Sequence, residues 1–272
     1  MTDLSVSVVL FYKNVEEIKR LVDCVLDTSL KVKLYLIDNS STCDFISLSE
    51  IDDRIQYVCN QANLGFGKAH NIAIKESIQQ NIPYHLVLNP DIYFEKGVLE
   101  RIFNYMEQNQ DVGNLMPLVL YPNGEIQFLC KLLPTPADLI IRRFVPFKIL
   151  TRKMDEQYEL RWTGYNKIMN VPSLSGCFMF LRVNALKQVG LFDENFFLYL
   201  EDIDLNRRIH LMYKTVFYPN VKIFHKFDKA SYKNHKALMI HIRSAIYYFN
   251  KWGWVFDKER KRINQDFIRN YS

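Results

Sequence analysis

Val6-Ser7-Val8-Val9-Leu10-Phe11-Tyr12 is apolar and rich in β-branched residues, the composition of a strand buried on both faces. Directly after it, Val15, Ile18, Leu21, Val22, Val25 and Leu26 recur at helical spacing. The same alternation continues. Apolar runs at 33–37, 55–59 and 85–88 read as strands, and 69–79 and 97–108 read as helices. The last of these places Leu99, Ile102, Phe103 and Met106 on one face. Strand followed by helix, repeated, predicts an α/β fold: a Rossmann-like, mostly parallel sheet with helices on both faces. In such sheets ligands bind beyond the carboxyl ends of the strands, where Tyr12, Asn14, Asp38 and Asp91 all fall.

From about Met116 the rhythm changes. Pro117, Pro122, Pro134, Pro136 and Pro146 interrupt it, and Tyr121-Pro122-Asn123-Gly124 is a turn signal. Residues 129–171 read as an irregular, partly mobile insertion. Residues 173–182 read as a further strand, 205–212 as a helix, 215–224 as a strand and 233–250 as a long helix.

The 272 residues, 49% of them hydrophobic, suffice for a sizeable core. The net charge of +5 is uneven: 142–153 carries Arg142, Arg143, Lys148, Arg152 and Lys153 with no acid, and 258–269 carries Lys258, Arg260, Lys261, Arg262 and Arg269. Such patches attract phosphates or anionic lipid, or are simply solvated. Nucleic acid would require one continuous basic stripe and is not expected as a partner. The five cysteines, Cys24, Cys43, Cys59, Cys130 and Cys177, form no CxxC pair and read as reduced, buried thiols of a cytosolic protein. No N-terminal signal segment is visible, and no apolar run reaches the ~18–20 residues that span a bilayer.

Two acidic stations stand out. Glu201-Asp202-Ile203-Asp204 places three carboxylates within four residues after the aromatic run Phe196-Phe197-Leu198-Tyr199-Leu200. Burying such groups is costly unless cations or hydrogen bonds offset the loss of water. Asn89-Pro90-Asp91 follows the apolar run 86–88. The two together suggest a site that handles a metal and a proton.

Taken in order, the motifs resemble those of the family 2 glycosyltransferases of GT-A type, and within them the bacterial rhamnosyltransferase-like members. They are Val8-Val9-Leu10-Phe11-Tyr12-Lys13-Asn14, Ile37-Asp38-Asn39-Ser40-Ser41, Asn63-Leu64-Gly65-Phe66-Gly67-Lys68-Ala69-His70-Asn71 and Leu88-Asn89-Pro90-Asp91. Ser175-Gly176-Cys177-Phe178-Met179, Gly190 to Phe197, Glu201-Asp202-Ile203-Asp204-Leu205 and His225 with Ser231 complete the set. Each motif alone is weak; the ordered set is specific for the family. It implies residues 1–232 as one GT-A domain, with a nucleotide-binding half (1–95) and an acceptor half (96–232), followed by an amphipathic helical extension (233–272).

The resemblance also implies roles. The donor would be a nucleoside diphosphate sugar, dTDP-linked first and UDP-linked second, and the acceptor a glycan or a polyprenyl-diphosphate-linked saccharide. Asp38 would accept from a pyrimidine ring N–H, or else cap its own turn through Ser40 or Ser41. Tyr12, Asn14, Asn63, Gly67, Asn71, Asn89 and Gly176 would line the donor pocket, Asn71 facing in. Asp91 would help hold Mg²⁺ or Mn²⁺ on the diphosphate. His225 would add a ligand or be a packed imidazole. Asp202 would be the general base of an inverting transfer, with Glu201 holding the acceptor or orienting Asp202. Asp204 and Arg208, four apart on a helix, would pair structurally. Lys13, where many relatives lack a cation, would meet phosphate or water. Phosphate-cradling nucleotidyltransferases show a glycine-rich loop after the first strand, and Lys13-Asn14-Val15-Glu16-Glu17 has no glycine. A transferase without turnover would be expected to lack Asp91 or Asp202.

In the tail, Leu238, Ile242, Ala245, Ile246 and Phe249 recur at helical spacing, followed by Trp252, Trp254 and the cationic run. That pattern suits peripheral contact with the inner face of the cell membrane, a dimer contact or core packing.

Overall fold

The computed structural model of the chain describes residues 1–12, 14–139, 148–226 and 235–272. Lys13, Arg142, Arg143 and Ser231 lie outside these residues. Among the described residues a nine-stranded sheet in the order β3-β2-β1-β4-β8-β6-β9-β5, with β7 paired to β9, organises the fold. The strands are β1 (Leu4–Leu10), β2 (Val32–Asp38), β3 (Ile55–Cys59), β4 (Tyr84–Leu88), β5 (Ile92–Tyr93), β6 (Val112–Leu120), β7 (Met169–Asn170), β8 (Phe178–Arg182) and β9 (Lys214–His225). The helices are α1 (Val15–Leu26), α2 (Phe66–Gln79), α3 (Val98–Gln108), α4 (Lys148–Tyr158), α5 (Val183–Val189), α6 (Glu201–His210), α7 (His235–Trp252) and α8 (Lys258–Tyr271).

The α/β architecture is as the sequence implies, and the first four strands in chain order pair in parallel. Beyond them the sheet is mixed, because β8 runs antiparallel between β4 and β6. Leu4, Val6, Val8 and Leu10 of β1 enter the main apolar core with Ile18, Leu21, Val22 and Val25 of α1. The opposite face of β1 carries serines that are fully buried. Ser5 Oγ and Ser77 Oγ both bond His85 Nδ1, and Ser7 Oγ bridges His85 Nε2 (2.8 Å) and His70 Nδ1 (2.6 Å). Buried polar groups are tolerated when paired in this way. Burial holds both imidazoles below their usual range, His85 at about 3.

Two expectations change. The 129–171 segment is not irregular where described: it contains α4, a 3-10 turn at Arg161–Thr163 and β7, and it buries Leu132, Leu133, Tyr158, Leu160, Tyr165 and Met169. Its proline spacing hides contacts that are long-range rather than periodic. The five cysteines are also not uniformly buried thiols. Cys43 and Cys59 form a disulfide, with Cα atoms 5.6 Å apart, Cys24 is half-buried, and Cys130 and Cys177 are buried and free. The pairing arises because the loop after β2 folds back onto the end of β3, a proximity that spacing alone does not reveal. In a reducing compartment the same backbone would hold two adjacent thiols.

Candidate active site

The carboxyl end of β4 runs into Asn89-Pro90-Asp91, and β5 then pairs with β9 in a register that sets Ile92 opposite His225. That register brings Asp91 and His225 together, with His225 Nε2 3.3 Å from Asp91 Oδ1. Gln127 fixes the ring from behind: its Oε1 lies 3.0 Å from His225 Nδ1 and its amide nitrogen donates to the His225 carbonyl at 2.8 Å. With Nδ1–H donated to Gln127, Nε2 is the nitrogen that faces Asp91, a tautomer inferred from the network.

On the other wall, Tyr199 and Leu200 both adopt left-handed backbone (φ 70° and 69°). For non-glycine residues this conformation is strained, and such strain gathers at functional sites. The kink starts α6 so that Glu201 and Asp202 open its first turn, where the helix dipole favours negative charge. Asp202 Oδ2 accepts from the Gly176 backbone N–H at 2.8 Å. A Cβ at Gly176 would approach Asp202 Cβ to 3.1 Å, so glycine permits this close contact. Glu201 is only 4% exposed. Burial first, and the Asp202 charge second, push its carboxyl well above the usual range.

Between these walls lies a cavity of about 550 Å³ lined by Asn89, Gly176, Glu201, Asp202 and His225, and also by Phe66, Lys131, Tyr158 and His241. This volume is within the range of small-molecule sites. The 129–171 segment thus supplies one wall, through Leu129, Lys131, Asp138, Asp155 and Tyr158.

The other expected residues cluster at the ends of β1 and β2 or serve packing. Asp38 is fully buried. Its Oδ1 accepts from Ser40 N (2.7 Å), the turn-capping alternative, and its Oδ2 from Tyr57 OH (2.6 Å). Burial, then the bond to Asp38, raises the Tyr57 phenol. Tyr12 is exposed and donates its N–H to Ser40 Oγ. Asn14 Oδ1 caps α1 by accepting from Glu16 N at 2.8 Å. Asn63 Oδ1 accepts from Gly65 N, and Asn39 donates to the Gly65 carbonyl.

Asn71 does not face an open pocket. It is buried, donates to the Phe192 carbonyl and Glu194, and accepts from Phe192 N. The glycines serve the same junction. A Cβ on Gly65 would meet the Phe197 carbonyl oxygen at 2.1 Å, and one on Gly67 would meet Phe192 Cβ at 2.8 Å. They let α2 approach the 190–197 loop, which in turn places Phe66 in the cavity wall. Gln127, Lys131, Tyr57 and His241 carry no signal in the sequence that marks them for the site. Gln127 and Lys131 fall in a stretch without periodicity, and Tyr57 is one ring in an ordinary strand.

Among the described residues no group of three or more His, Cys, Asp or Glu side chains is arranged to hold a metal ion. The Asp91–His225 pair fits a cation that takes its remaining ligands from a diphosphate and water.

A helix-flanked sheet with carboxylates at its strand ends defines the class. The chain matches the model of Glycosyl transferase family 2 over residues 7–190, more than half its length, and belongs to that family. It is a glycosyltransferase of GT-A fold. It is 26% identical over 247 residues to N-acetylglucosaminyl-diphospho-decaprenol L-rhamnosyltransferase of Mycobacterium tuberculosis (strain CDC 1551 / Oshkosh), covering 83% of this chain and 76% of that protein. It is 27% identical over 212 residues to rhamnosyltransferase WbbL of Escherichia coli K12, covering 75% and 76% respectively. The fold also matches the crystal structure of GalNAc-T7 with UDP, GalNAc and Mn²⁺ (TM-score 0.62, 13% identity), covering 84% of this chain and 43% of that one.

Proposed function

We propose that the protein is an inverting, metal-dependent transferase that moves L-rhamnose from dTDP-rhamnose to a hydroxyl of a cell-surface glycan or a polyprenyl-diphosphate-linked saccharide. It would work in the cytoplasm, at the inner face of the membrane. The observation that carries this reading is Asp202, held at the cavity by the Gly176 N–H beside the buried Glu201. The names of the two bacterial relatives support rhamnose, and that of the mycobacterial one supports a lipid-linked acceptor. Residues 1–232 would form the catalytic domain, 1–95 binding the nucleotide and 96–232 the acceptor, with 233–272 as its extension.

Each residue then has a task. Asp38, with Tyr57 behind it, would accept from the base, since a carboxylate oxygen that accepts one bond can accept a second. Tyr12, Asn14 and Asn63 border the nucleotide, while Asn71 and Gly67 hold the loop that shapes the pocket. Asn89 borders the diphosphate. Asp91 and His225 would hold Mg²⁺ or Mn²⁺, which neutralises the leaving diphosphate when bound. The acceptor oxygen attacks the anomeric carbon as the bond to the diphosphate breaks. Asp202 takes the hydroxyl proton from the face opposite the leaving group, which inverts the configuration. Glu201, whose carboxyl burial favours in its protonated form, holds the acceptor or orients Asp202.

A UDP-hexose donor is the second reading, because the base pocket rests on Asp38 and does not itself distinguish thymine from uracil. Thermal shift with dTDP, UDP and GDP, each with and without Mn²⁺, tests both. At 100-fold over Kd the bound nucleotide adds about 2.7 kcal/mol, largest for dTDP and larger with Mn²⁺. No stabilisation by any of the three would overturn the proposal.

A further inference from the structure

The C-terminal end of α7 packs inward, Tyr248 and Phe249 being buried with Leu133, Phe196, Leu200 and Ile263, while Ile246 and Met239 stay exposed. The most exposed apolar run of the tail is the turn between α7 and α8. There Trp254 is 40%, Val255 74% and Phe256 96% exposed. Three consecutive large apolar side chains at a tip are unusual on a soluble surface.

The turn is built, not loose. Gly253 takes a left-handed conformation (φ 102°), and Trp254 donates its indole N–H to Asn250 Oδ1 while its ring packs 5.2 Å from Phe249. The buried guanidinium of Arg260 donates to the carbonyls of Gly253, Trp254 and Pro134. Preorganisation of this kind removes the entropy of ordering an apolar wedge at a surface.

Charge selects the occupant. Lys258 and Lys261 follow the turn and are exposed. The nearby acids, Asp257 and Glu259, are both bonded to Arg207. Of the charges that directly follow the turn, those not bonded to Arg207 are therefore cationic, which complements an anionic lipid surface. A second copy of the chain fits less well. Three side chains present on the order of a few hundred Å², short of the ~800 Å² per partner of a standard interface. The tip is also coupled to the cavity: α7 carries His241 in the cavity wall, and at ~1.5 Å per residue the turn lies about 20 Å further along that helix.

We infer that Trp254-Val255-Phe256 is a wedge that inserts into the interfacial layer of an anionic bilayer and presents the cavity to a membrane-borne acceptor. The second half of this inference rests on the lipid-linked acceptor proposed above. The test is co-sedimentation of the full chain with phosphatidylglycerol-containing vesicles and with pure phosphatidylcholine vesicles. Wild type is compared with Val255→Ser/Phe256→Ser and Lys258→Glu/Lys261→Glu, and nucleotide-induced thermal shift serves as the folding control. Wild type should bind the anionic vesicles with a blue shift in tryptophan emission that Trp254→Phe removes. The apolar double variant should bind at least tenfold more weakly, and the charge variant should lose the preference for anionic lipid. All variants should keep the nucleotide shift. Vesicle binding unchanged in the apolar double variant would overturn the wedge. So would a wild type that ignores vesicles, or one that light scattering shows to be a dimer dissociated by Val255→Ser/Phe256→Ser. Loss of the nucleotide shift in wild type would instead count against the transferase assignment.

Discussion

The two faces of α6 carry the same kinds of residue to opposite ends. On one face Glu201 and Asp202 open onto the cavity, Asp202 held by a backbone N–H and Glu201 with its carboxyl pushed up by burial. On the other, the charges are matched and dry. Asp204 pairs with Arg208 at 2.9 Å, as its spacing implies, and accepts from Trp252 Nε1. Arg207 is 1% exposed, makes a bidentate pair with Asp257, bonds Glu259 and lies 4.1 Å over the Trp252 ring. Burial opposes its charge, but the bonds to Asp257 outweigh that and hold its pKa above the ordinary guanidinium range. Carboxylates on a single helix thus divide into those that open onto the cavity and those that dock the C-terminal helices.

The comparison is sharpened first by Asp202→Asn. It should lower kcat by about 10²–10⁴-fold, the usual contribution of a positioned general base, while the protein melts within a few degrees of wild type. Initial rates with saturating donor and a melting curve check both. Arg207→Ala should act the opposite way. Stranding Asp257 in the interior costs about 3–5 kcal/mol, visible in urea unfolding, while the folded fraction keeps its rate. If instead the rate collapses with stability intact, the docked face belongs to the site.

A comparable effect comes from pH. Burial depresses His70, His85 (about 3) and His210 (about 4) below the ~6.5 of an unfolded chain. Desolvation is the main cause in each case, with His85 adding to the shift of His70 and Arg262 to that of His210. The unfolded chain therefore binds more protons than the native one below about pH 6.5, and stability falls as pH is lowered through that window. The slope is about 1.4 kcal/mol per pH unit for each histidine, down to about pH 4 for His210 and about pH 3 for His85. Urea unfolding at pH 7 and pH 5 checks it, and a flat profile would show that these imidazoles are charged or solvated in the native state.

The smallest effect is that of Glu201→Gln. A carboxyl raised by folding contributes stability below its unfolded pKa and loses it as pH rises, so the neutral amide should melt higher than wild type at pH 8. Transfer should stay within about tenfold, because an amide also donates a hydrogen bond. A lower melting temperature would mean that Glu201 is ionised and paired.

Much of this was legible in the sequence because it is local. The apolar run ending at Leu10 and the helical spacing of Val15 to Leu26 declare β1 and α1 without reference to the rest of the chain, and strand-end placement picks out Asp38 and Asp91. What stayed hidden depends on distant pairings. The insertion of β8 between β4 and β6 follows from antiparallel ladders across the chain. Gln127 reaches His225 across 98 residues. Gly65 and Gly67 look like a ligand-approach loop, but the close approach they permit is to Phe197 and Phe192. The amphipathic period of α7 is real, yet periodicity does not say which surface the apolar face meets, and here Phe249 meets the core.

The division of α6 is tested most directly by one paired measurement: transfer rate per folded molecule and melting temperature for Asp202→Asn and Asp204→Asn. The two changes are chemically identical and two residues apart. Asp202→Asn should lose at least about 100-fold in rate and melt close to wild type. Asp204→Asn, which weakens the contacts to Arg208 and Lys251, should melt lower and keep its rate. Full transfer by a folded, donor-binding Asp202→Asn protein would contradict the account.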